Sequence, residues 1–132
     1  MSDFDSPLSI ELERQDDVCI LSLKGRFASS ANPESIRAHA DQIKSQGFSK
    51  VLVDMRGLSA IGSTGIGFLV GLYTSIVKLP AGKFVLVGAN NRVREAFEFT
   101  RLDMIIPMAA NIAAGLAALS GDAPLVRTAR ES

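Results

Sequence analysis

The sequence predicts an α/β domain, a mixed β-sheet that opens with an N-terminal hairpin and is covered by about four helices. Three observations carry this prediction. Residues 8–14 alternate apolar and polar with the period of a half-buried strand, and a polar turn leads directly into a second apolar run. Two short runs, Val51-Leu52-Val53 and Phe84-Val85-Leu86-Val87, are wholly apolar, as central strands buried on both faces are. Around them lie stretches with apolar residues at helical spacing, opened by Asn or Pro and closed by Gly.

Taken in order, Leu8, Ile10 and Leu12 form the inner side of the first strand, opposite Ser9, Glu11 and Glu13. Gln15-Asp16-Asp17 is the turn, and Val18 to Leu23 is the second strand, which Gly25 is expected to end. Asn32 caps the first helix and Pro33 takes its first position, where no amide hydrogen is needed. Ile36, Ala40 and Ile43 are its stripe, and Gly47 ends it. The third strand spans residues 50–55. Residues 56–63 read as a loop of glycines, small hydroxyl residues and single apolar side chains. A helix follows from about Thr64 to Lys78, with Ile66, Leu69, Val70, Tyr73 and Val77 as its stripe, and Pro80-Ala81-Gly82 breaks it. The fourth strand is residues 83–88. Asn90 or Asn91 caps a short helix carrying Val93, Ala96 and Phe97, and both Phe97 and Phe99 are expected in the core. Ile105-Ile106 is expected as the last strand and residues 109–119 as a final alanine-rich helix. The division is an extension over 1–7, a domain over 8–119 and a tail over 120–132, which lacks an apolar pattern.

Bulk properties narrow the function. The 132 residues fit one domain, long enough to bury a core without disulfide or metal. Fourteen basic residues balance fourteen acidic ones, which argues against a broad grip on nucleic acid. The single cysteine, Cys19, forms no internal disulfide and sits in an apolar run as a small core residue. The N-terminus is acidic and lacks an apolar signal region, and no stretch of about twenty apolar residues exists to span a membrane. Cytoplasmic residence without membrane insertion is the expectation.

Little in the chain points to catalysis. His39 is the single histidine, on the first helix, and is expected as a surface residue. No Cys/His cluster has metal-ligand spacing, and neither Gly65-Ile66-Gly67 nor Gly82-Lys83 matches a phosphate loop or a dinucleotide fingerprint. No enzyme activity, cofactor or metal is expected. The informative stretch is Gly62-Ser63-Thr64-Gly65, small residues at a helix start on the carboxyl side of a buried strand. Ser63 either caps that helix or is a modification site, since unpaired amides and the positive end of the helix dipole tolerate a phosphate. In an open α/β sheet, sites gather at the carboxyl ends of strands. The candidate partner-binding residues there are Arg26, Gly62, Ser63, Thr64, Gly65, Ile66, Asn90 and Asn91, within loops 26–30 and 88–91 and the helix start. Arg92 and Arg94 read as a solvated helix face.

Residues 51–70, from Val51-Leu52-Val53-Asp54 through Gly62-Ser63-Thr64-Gly65 to Phe68-Leu69-Val70, resemble the signature of the STAS domain family, which includes the bacterial anti-sigma factor antagonists. Residues 83–102, with Val93, Phe97 and Leu102 at apolar places, resemble the family's next segment, and the element order is the family's order. The resemblance implies an antagonist that binds an anti-sigma factor, often a serine kinase of the histidine-kinase-like ATPase type, and so frees a sigma factor. It implies phosphorylation of the serine that opens the helix, here Ser63 with Thr64 beside it, and reversal by a serine phosphatase. The chain departs from the pattern at three places: Gly62 replaces the acid before the serine, Gly25-Arg26-Phe27-Ala28 lacks an aspartate, and Thr100-Arg101-Leu102 replaces Thr-Gly-Leu. The alternative within the family is a scaffold or transport-associated subunit that binds protein or lipid without phosphorylation. A small enzyme or nucleotide-binding domain is the reading from another class.

Overall fold

The computed structural model describes residues 7–27 and 33–120. Within them the chain runs β1 (Ser9–Gln15), β2 (Val18–Phe27), α1 (Pro33–Ser45), β3 (Lys50–Ile61), α2 (Ser63–Val77), β4 (Lys83–Val87), α3 (Asn91–Phe99), β5 (Met108–Ala109) and α4 (Ile112–Ser120), with one 3-10 turn at Leu102–Met104. The expected Asn32 cap, the loop 28–30, residues 1–6 and residues 121–132 lie outside the described residues.

The five strands lie side by side in chain order. β1 and β2 pair antiparallel from Gln15↔Val18 to Ser9↔Lys24, through a turn with Asp16 at φ 57°. Every later neighbour is parallel. Because each parallel strand adds on the same side of its predecessor, all three crossover helices fall on one face of the sheet. There Cys19, Leu21 and Leu23 of β2, Val51 and Val53 of β3, and Phe84 and Leu86 of β4 pack with Ile43 of α1, Leu69, Leu72 and Ile76 of α2, and Val93 and Phe97 of α3. Strand alternation turns Val18, Ile20, Leu52, Val85 and Val87 to the other face, where α4 covers them with Leu119, Ile112 and Leu116. The central strands are therefore buried on both sides, which is why their sequences are apolar without alternation.

Several boundaries differ from the sequence expectation. Gly25 does not end β2, which continues to Phe27, and β3 continues to Ile61, so residues 56–61 are strand and not loop. The last strand is Met108–Ala109, because Ile105 and Ile106 turn after the 3-10 segment. α2 buries Gly65, Leu69, Leu72 and Ile76. Ile66, Val70 and Tyr73 are half-buried, and Val77 is exposed. In α1 only Ile43 of the expected stripe is buried. Phe97 is in the core as expected, but Phe99 is 91% exposed, since consecutive odd positions on a helix point to different faces. Cys19 is fully buried, and burial pushes its thiol up to about 11. His39 lies half-buried on α1, where its Nδ1 donates to the Ser35 carbonyl at 2.7 Å. No helix among the described residues is long and apolar enough to cross a membrane.

Candidate functional site

The candidate site grows from the carboxyl half of β3. Up to Asp54 this strand has a backbone neighbour on each side, with Ser22 of β2 and Val87 of β4. Beyond Asp54 only β2 continues, through Lys24↔Gly57, Gly25↔Leu58, Arg26↔Ala60 and Phe27↔Ile61, with two register shifts that give β3 extra residues. β4 leaves at Gly88, which has φ 74°.

Side chains take over the hydrogen bonding that the missing neighbour and the bulges leave open. The Asp54 carboxylate accepts the Arg56 backbone N–H at 3.1 Å and holds the Arg56 guanidinium through Nε and Nη2 at 3.0 and 3.1 Å. Ser59 donates its hydroxyl to the Gly25 carbonyl at 3.0 Å, tying β3 to β2. The Asn90 carboxamide donates to the Leu58 carbonyl at 3.0 Å, tying β3 to the start of α3. Burial opposes the charge on Asp54, but the Arg56 side chain and backbone N–H, with Lys24 farther off, outweigh it and hold the carboxyl below its ordinary value.

These bonds fix where α2 begins. Phe27 accepts the Gly62 N–H at 2.7 Å, and Gly62 accepts the Ile66 N–H at 3.0 Å. Gly62 is the N-cap, with φ −109° and no side chain to satisfy an amide. Gly65 lets the first turn press onto the strand ends, since a Cβ there would sit 2.6 Å from Ile61 Cγ1 and 2.7 Å from Phe27 Cγ. The Phe68 ring closes over Phe27 with centroids 5.7 Å apart.

Ser63 is therefore the first helical residue and not the cap. It is exposed, and among the described residues its hydroxyl has no hydrogen-bond partner. The first turn carries no acid, so the unpaired amides there face no side-chain charge from their own turn. Thr64 and Ile66 are half-buried and Gly65 is buried, so Ser63 is the member of this turn most open to a partner.

The other expected contact residues divide. Asn90 caps α3, accepting the Val93 N–H at 2.8 Å while its amide holds Leu58. Asn91, the first residue of α3, is exposed. Arg26 is exposed and pairs with Ala60 beside this corner, and alternation turns it to the sheet face opposite Phe27 and α2. Sequence reasoning missed Ser59 and the Asp54–Arg56 pair. An acid ending an apolar run two residues before an arginine is a weak local sign of the pair, whereas Ser59 has none, its partner being 34 residues away. No group of metal-ligating side chains occurs among the described residues.

Comparison with known proteins fits this architecture. A family model described as the STAS domain matches residues 9–115. A Thermotoga neapolitana homolog of TM1081, assigned to the anti-sigma factor antagonists, is 28% identical over 81 residues, 61% of this chain and 71% of that one. The crystal structure of an anti-sigma factor antagonist from Mycobacterium paratuberculosis superposes with a TM-score of 0.79 at 20% identity, covering 89% of this chain and 97% of that one. The Bacillus cell fate determinant SpoIIAA in its phosphorylated form superposes with a TM-score of 0.62 at 24% identity, covering 80% and 96%. At these identities the two structures speak for the fold, and the family match spans most of the chain. By that match, and by a strand order and helix placement that agree with it, the chain belongs to the STAS domain family.

Proposed function

We propose that this domain is an anti-sigma factor antagonist, a binding module that holds an anti-sigma factor at the α2 corner and thereby releases a sigma factor, with Ser63 as the switch. The observation that carries the reading is the placement of Ser63. It is exposed, it opens α2, and Gly62 relieves it of capping. The names of the relatives supply the partner class, and one of them was solved in a phosphorylated form. On this reading the partner is a serine kinase of the histidine-kinase-like ATPase type that phosphorylates Ser63, and a serine phosphatase reverses the step. A phosphate adds about −1.5 to −2 charge at neutral pH. With no acid in the first turn, that charge turns an uncharged helix start negative while the helix dipole accommodates it.

The test is a pull-down from the source cell's lysate with wild type, Ser63→Ala and Ser63→Glu, with mass spectrometry of the captured proteins and of Ser63. Capture of a histidine-kinase-like ATPase by the first two and not the third is the expected result. Equal capture by all three, with Ser63 never phosphorylated, identifies a constitutive STAS scaffold instead.

A further inference from the structure

We propose that Asn90 is a positioning residue for the Ser63 corner, its carboxamide standing in for the strand neighbour that β3 lacks beyond Asp54. The functional meaning rests on the reading of Ser63 as the switch, whereas the geometry stands without it. Leu58 is 1% exposed, and β4 does not reach it, because backbone pairing ends at Asp54↔Val87. A buried carbonyl without a donor is costly, so a donor has to come from elsewhere. The chain supplies it by turning at Gly88, where a Cβ would fall 2.4 Å from the Arg56 side chain lying across it, and returning at Asn90.

Asn90 then serves two groups at once. Its Oδ1 accepts the Val93 N–H at 2.8 Å and its Nδ2 donates to the Leu58 carbonyl at 3.0 Å. The placement passes along β3 to Ile61, which pairs with Phe27, and to Gly62, whose N–H the Phe27 carbonyl accepts. As a helix cap alone, Asn, Asp and Ser are nearly equivalent. They are not equivalent as a clamp. An aspartate caps but turns an anionic oxygen toward the Leu58 carbonyl, and a serine caps but is too short to reach it. The position therefore requires a carboxamide, and substitution separates the two duties.

The experiment is amide hydrogen exchange on the full chain for wild type, Asn90→Asp and Asn90→Ser. Gly62 and Ile66 are expected to exchange about tenfold faster in both variants, the effect of one net hydrogen bond lost from the outer half of β3. The α3 amides from Arg94 to Phe97 are expected to stay within about twofold of wild type, because both variants still cap. Acidification that protonates the carboxyl introduced in Asn90→Asp restores a donor and returns its Gly62 rate, relative to wild type at the same pH, toward one. Wild-type rates at Gly62 and Ile66, or α3 loosening as much as Gly62, overturn the proposal by leaving Asn90 only a cap. The functional reading fails separately: if exchange responds as expected but no form captures the ATPase and Ser63 is never phosphorylated, the positioning role stands and the switch falls.

Discussion

The two halves of β3 are built differently. From Lys50 to Asp54 the strand has backbone neighbours on both sides and apolar layers on both faces. From Met55 to Ile61 it has one backbone neighbour and two bulges; the Asp54 and Asn90 side chains meet the Arg56 N–H and the Leu58 carbonyl, and Ser59 ties it to the Gly25 carbonyl of β2. The first half is held by many small interactions that are lost together. The second also buries Met55 and Leu58, but the edge that β4 leaves open is held by single side-chain bonds, and it carries the start of α2. A corner held this way can be tuned by single side chains without disturbing the core beneath it.

The largest expected effect tests that contrast directly. Leu52 is fully buried under α4, and Leu52→Ala is expected to cost about 2–5 kcal/mol of global stability by denaturant unfolding. Ser59→Ala in the second half is expected to cost only about 1 kcal/mol, the net worth of one hydrogen bond. Comparable losses for the two would break the comparison, because the Ser59 bond would then be as hard to replace as a core side chain.

The contrast also explains what could be read from the sequence. The first half was legible because burial on both faces makes an apolar run, a property of the residues themselves. The second half read as a loop because Gly57 and its mixed neighbours have no period, and its strand character depends on β2, on the Gly25 carbonyl 34 residues from Ser59 and on the Asn90 side chain 32 residues from Leu58. The Ser63 helix start was legible from its small residues, but not that Gly62 would be the cap. The buried face of α2 was partly misassigned for another reason. The helix carries no charged residue and is apolar nearly all round, so spacing gives little ground for choosing Leu72 and Ile76 over Val70 and Val77. Phe97 and Phe99 were separable from the sequence, since Phe97 lies four residues after Val93 on the buried face and Phe99 lies two further on, on the opposite face.

Asp54 marks the junction between the halves and gives an expected effect of intermediate size. Its carboxyl titrates lower in the folded chain than the ordinary value of 3.8. The folded state therefore gains stability from it above that value and loses the gain as pH falls through the lower folded pKa. Asp54→Asn is expected to lose about 1 kcal/mol near neutral pH, discounted because the Arg56 side chain is largely exposed, and progressively less as pH falls below 3.8. Unfolding curves for both proteins across that range measure the difference. A gap that stays constant with pH would mean that the carboxylate charge does not secure the junction.

The smallest expected effect sharpens the comparison most, because it concerns a residue that the corner presents but does not use. Ser63 opens α2, makes no cap and lies over unpaired amides with no acid in the turn. A carboxylate placed there meets the positive end of the helix dipole, which is worth about 0.3–1 kcal/mol in favour of the fold. Ser63→Glu is therefore expected to raise Tm by about 1–4 °C in a domain of this size. The same substitution is expected to abolish capture of the ATPase. Stability and binding moving in opposite directions is the signature of a side chain reserved for a partner. If Ser63→Glu instead lowers Tm, the Ser63 hydroxyl serves the fold itself, and a phosphate at that position would act by loosening the start of α2 and not by changing the charge that a partner meets.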